Sequence, residues 1–164
     1  MNRPALILGA LAAAIAAPAS AESWLELSNS DAAVSYGDAD SVKANGDIAS
    51  AKVMLGLRQP IGKAANIEFL VSSVRVSCST GRYFVDSVSG LDASREVVSQ
   101  LPGSRTWQDV AEGTLQASFR DFACGKILAR PVADPFAATS EFWNGETHGP
   151  GSGAFQLAGQ FDMG

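Results

Sequence analysis

Asn45-Gly46-Asp47-Ile48-Ala49-Ser50-Ala51-Lys52-Val53-Met54-Leu55-Gly56-Leu57-Arg58 decides how this chain folds. Asn-Gly ahead of an alternating segment is the strongest short-range signal for a β-hairpin. After it Ala51, Val53, Leu55 and Leu57 alternate with Lys52, Met54, Gly56 and Arg58. That period of two, with one apolar face, describes a half-buried antiparallel strand.

Strands extend in both directions from this hairpin. Upstream, Trp24-Leu25-Glu26-Leu27-Ser28 and Val34-Ser35-Tyr36 read as two short strands, the second ending in a turn-rich run, Gly37 to Ser41. Downstream, Ile67, Phe69 and Val71 alternate, and the phase then switches to Val74, Val76 and Cys78. A switch inside one strand predicts a bulge or bend near Ser72-Ser73. Arg82 to Val88 and Glu96 to Ser99 complete an antiparallel sheet of about six strands.

The period changes after Leu101-Pro102-Gly103-Ser104. Leu115, Phe119 and Phe122 recur at helical spacing, with Thr114 placed to cap the start and Gly125 to stop the end. The fold class is therefore α+β, a sheet packed by a C-terminal helix.

Residues 1–21 carry Arg3, an apolar run from Ala5 to Ala17, and the small-residue pattern Ala19-Ser20-Ala21, which together describe a cleavable signal peptide. The apolar run falls short of the roughly 20 residues that a spanning helix needs. No cysteine follows the cleavage site to take a lipid anchor, and no later segment is apolar enough to span a bilayer. The expected product is soluble, periplasmic or secreted, and acidic.

Export gives the two cysteines a meaning. Cys78 and Cys124 can form only one disulfide, and an oxidising compartment favours it. Cys78 ends a strand and Cys124 ends the helix, so the bridge would clamp helix to sheet.

Residues 22–130 form the expected domain. Residues 131–164, with Pro131, Pro135, Pro150 and the run His148-Gly149-Pro150-Gly151-Ser152-Gly153, read as a Gly/Pro-rich, loosely ordered tail. Its aromatic residues leave room for docking, and Trp143 is the candidate partner contact.

The order of these elements resembles the bacterial surface-adhesin protein E-like family of small exported domains. The residues that carry the likeness begin with Trp24 and Tyr36-Gly37-Asp38-Ala39-Asp40-Ser41-Val42, followed by the Asn-Gly turn. They continue in Ser73-Val74-Arg75-Val76-Ser77-Cys78-Ser79-Thr80-Gly81-Arg82-Tyr83, and end with Trp107 before a helix closing at Cys124. The likeness spans about residues 24–126 and stops before the tail. It departs in the missing lipoprotein cysteine and in Ala111-Glu112, where a proline is common. The resemblance implies the sheet-and-helix fold and a bridge between Cys78 and Cys124. It also implies protein binding, in a family whose adhesin captures host proteins and dimerises.

Catalytic chemistry finds little support. The net charge of −5 disfavours nucleic acid and anionic lipid. The single histidine, His148, lies in the Gly/Pro run, where nothing would lock it as a catalytic base. Gly56 with Gly62-Lys63 misses phosphate-loop spacing, and Ala64 replaces the magnesium-binding hydroxyl. Asp38, Asp40 and Asp47 lack the spacing of a calcium loop. The expectation is a non-enzymatic envelope binding domain without metal or cofactor, whose partner is a protein or another envelope component, with a homodimer among the options. The alternative is a structural or stress-related periplasmic protein that uses the tail as a docking arm.

Overall fold

The computed structural model describes residues 22–62, 66–127 and 129–145. The signal-peptide expectation for residues 1–21, His148 and the rest of the segment after 145 lie outside them. Eight strands form one sheet: β1 (Trp24–Asn29), β2 (Ala33–Asn45), β3 (Ile48–Ile61), β4 (Ile67–Ser77), β5 (Arg82–Leu91), β6 (Val97–Pro102), β7 (Gln108–Asp109) and β8 (Arg130–Val132). Two helices accompany them, α1 (Leu115–Ala123) and α2 (Pro135–Asn144). The strand order is β6-β5-β4-β3-β2-β1-β8, every pair antiparallel, with β7 on β5. The fold is α+β, as the periodicities predict.

Both hairpin and helix form where the sequence places them. The β2–β3 turn centres on Gly46-Asp47, one residue beyond Asn45-Gly46, because Asn45 pairs with Ile48. Gly46 supplies the positive φ of 61° at the first central position. In α1 the Thr114 side chain accepts from the Ala117 amide, and Gly125 takes φ 68° after the Cys124 cap. Phe119, Phe122 and Ala123 are buried against the sheet. The Cys78–Cys124 disulfide, with Cα atoms 5.8 Å apart, ties the end of β4 to the end of α1.

The sheet is covered on both faces, and this corrects the half-buried expectation. Ala51, Val53, Leu55 and Leu57 face α1 as predicted, but Met54 is wholly buried on the opposite side. There it packs with Trp24, Val34, Tyr36, Phe69 and Leu91 beneath Phe136, Ala138, Phe142 and Trp143. The phase switch in β4 has the same cause. Phe69 and Val71 face α2, whereas Leu70, Val74 and Val76 face α1. A register shift does occur at Ser73/Val74, but its extra residue is Asp86 on β5, and the pairing of β4 to β3 is continuous there, its own irregularity lying between Gly56 and Ile61.

The second cover comes from the segment expected to be loose. Residues 130–132 pair with β1, and Asp134 caps α2 by accepting from the amides of Phe136 and Ala137. Pro135 stands at the first helical position, where its missing N–H costs nothing. A second correction concerns Gly37 to Ser41. The strand β2 continues through them, carrying a bulge in which residues 39–42 stand opposite Ala51 alone and the Ser41 hydroxyl accepts the Lys52 amide at 2.7 Å. Turn chemistry is present, but inside a strand.

Candidate interaction edge

The two ends of the sheet differ. At one end β8 is three residues long with Pro131 at its centre and the charged Arg130, features that discourage further strand pairing. At the other end β6 pairs with β5 on one side and with no strand on the other among the described residues.

Val97, Val98 and Leu101, at 53%, 40% and 38% exposure, are the large hydrophobic residues left exposed among the described residues, and all three lie on β6. The segment from Val97 to Ser104 carries no charge. From Val97 to Leu101 this edge has no partner strand among the described residues, carries apolar side chains and no charge, and is a template for another strand that Pro102 brings to an end.

Both ends of β6 are fixed. Leu91 pairs with Val97 and Gly90 with Ser99, so Val98 bulges out of register. In the preceding turn Asp92 Oδ1 accepts the amides of Ser94 and Glu96, holding Arg95 at φ 66°. Arg95 reaches Asp134 at 2.8 Å and lies 4.7 Å from the centre of the Phe136 ring, which anchors this turn to the start of α2. Beyond β6, the Gly103 amide donates to Asp86 O at 2.9 Å and the Arg105 amide to Val85 O. Gly103 runs so close to β5 that a Cβ there would lie 2.6 Å from the Asp86 carbonyl carbon. Fixing the ends lowers the ordering cost when a partner docks. Glu96 and Arg105, which flank the strand, have no ion pair among the described residues.

Polar groups elsewhere are engaged within the fold. Lys52 bridges Glu22 and Asp38, and Trp24 Nε1 donates to Glu22. Burial opposes the Lys52 charge, but the bonds to Glu22 and Asp38 outweigh it and raise its pKa. Asp47 accepts from the Ser77 hydroxyl and the Ser79 amide beside the disulfide. Among the described residues no three His, Cys, Asp or Glu side chains are grouped to hold a metal. Gly56 lies under α2, away from any phosphate-loop role, and Lys63 is outside the described residues.

Trp143 sits half-buried on the second core, edge-on to Phe142 with 4.6 Å between centres and with Arg58 over its ring. Its Nε1 is buried without a hydrogen-bond partner among the described residues. The sequence points to Trp143 through its place on the tail and does not mark β6 as an edge. The Glu96–Ser99 strand was legible, but its position at the edge depends on pairings distant in sequence.

Comparison with protein-family models, curated proteins and solved structures gives no match. The likeness to the surface-adhesin family therefore rests on the residues quoted for it.

Proposed function

We propose that the chain is an exported, non-enzymatic binding domain of the bacterial envelope, adhesin-like in capturing an extended segment of another polypeptide along β6. The observation that carries this reading is the concentration of exposed apolar side chains on one uncharged, unpaired strand. Export is supported by the leader pattern of residues 1–21 and by the disulfide, a bond typical of oxidising compartments. For the docking-arm alternative, residues 131–144 of the arm complete the sheet and its second core.

The partner's chemistry follows from the edge. It supplies a strand of low charge, with apolar residues to meet Val98 and Leu101 and polar or charged residues to meet Glu96 and Arg105. In-cell cross-linking from a photoreactive side chain at Gln100 tests this. A discrete adduct that disappears when Val98 and Leu101 are both changed to Lys is expected, and an adduct of twice the chain's mass would identify the partner as a second copy. Adducts insensitive to those lysines, or none in envelope fractions, would contradict the proposal. The exported product is expected to begin at Glu22.

A further inference from the structure

A groove of about 540 Å³ opens between α2 and the β1–β8 end of the sheet, with no residue of β6 in its lining. Its volume lies within the range of small-ligand sites. Val132, Ala138 and Phe142 give it apolar walls, and the almost fully buried Tyr36 lies at its base. Its charges are unequally satisfied. Glu26 is paired with Arg130, and Asp134 is engaged by Arg95 and by the amides it caps. Glu141, exposed on α2, has no cationic partner among the described residues. Three carboxylates, Glu26, Asp134 and Glu141, and one guanidinium, Arg130, line the groove, so acidic groups outnumber basic ones there.

We infer that this groove binds a primary ammonium carried on an apolar stem, either a free alkyl amine or the lysine side chain of a peptide. The stem lies along Val132, Ala138 and Phe142, and the ammonium pairs with Glu141. An anionic ligand would meet three carboxylates and one guanidinium already engaged. A neutral apolar ligand would leave Glu141 unpaired and gain nothing from it. The partly exposed ring of Phe142 adds a surface that favours a cation. This site does not depend on β6, so the failure of either proposal leaves the other standing.

The test is NMR titration of the full chain with n-hexylamine, with hexanoate and hexanol as matched controls and an acetylated lysine tripeptide as the second arm. Hexylamine is expected to saturate with shifts at Val132 and Ala138, and to bind about tenfold more weakly to Glu141→Gln. Ala138→Leu, which fills the wall, is expected to weaken it similarly, whereas Glu112→Gln on the opposite face leaves it unchanged. A tripeptide that binds at least as tightly as hexylamine identifies a lysine side chain as the ligand, and weaker binding identifies a free amine. Hexanoate binding as tightly as hexylamine, equal affinity in Glu141→Gln, or no saturable shift would overturn the inference.

Discussion

Thr139 of α2 stands directly over Gly56 of β3: a Cβ built on Gly56 would lie 2.9 Å from Thr139 Cβ, and nearer still to its methyl and hydroxyl. Gly37 receives the Phe122 ring of α1 in the same way on the other face, with Cζ 2.6 Å from a hypothetical Cβ. Each helix is seated where the sheet lacks a side chain.

Gly56→Ala is therefore expected to destabilise the protein by about 1–3 kcal/mol through overpacking. Thr139→Ala introduced with it should restore part of that loss, because the methyl and hydroxyl are removed. Urea denaturation of the two single variants and the double variant gives the coupling. Simple additivity would show that α2 does not sit where the structure places it.

Opening the disulfide frees a loop with a sequence separation of 46. The chain-entropy estimate for a loop of this size is about 4 kcal/mol. Denaturation with and without reductant should show a loss of that order. The Cys78→Ala/Cys124→Ala variant should match the reduced protein and no longer respond to reductant.

Asp47 contributes a pH dependence. Hydrogen bonds from Ser77, then from Ser79, hold its carboxyl below the ordinary value of 3.8. A depressed folded-state value means the stabilisation is present above about pH 4 and disappears as pH falls through the folded-state value. The stability difference between wild type and Asp47→Asn should therefore be largest at neutral pH and shrink on acidification.

Tyr36 behaves in the opposite sense. Burial pushes its phenol up to about 12, with Glu26 and Glu141 adding to the shift against the Thr139 hydroxyl and Arg130. The folded state retains this proton when the unfolded state has lost it, so stability is full below pH 10 and falls between about pH 10 and 12, by roughly 2–3 kcal/mol. The chain has two tyrosines, so absorbance titration of Tyr83→Phe reports Tyr36 alone. A midpoint near 10 would contradict its burial.

What was legible in the sequence was local. The Ala51–Leu57 alternation, the Thr114 cap and the Leu115, Phe119, Phe122 spacing all specify their own elements. The α2 helix escaped because Pro131 and Pro135 read as breakers, although Asp134-Pro135 is a cap followed by a first-turn proline. Recognising that pair would have recovered the second core, since Phe136, Thr139 and Trp143 follow at helical spacing. The bulge at residues 39–42 shows a different limit. Its Asp and Ser side chains bond the backbone as they would in a turn, and only pairing with β3 reveals a strand around them. The exposed edge is the most non-local feature, since it depends on where the last hairpin strand falls in an eight-stranded order.

The most direct measurement is amide hydrogen exchange on the complex recovered through the Gln100 cross-link, compared with the free protein. Binding along β6 predicts that amides between Val97 and Leu101 gain protection while those of β8 are unchanged. Protection elsewhere with β6 still exchanging freely would contradict the account.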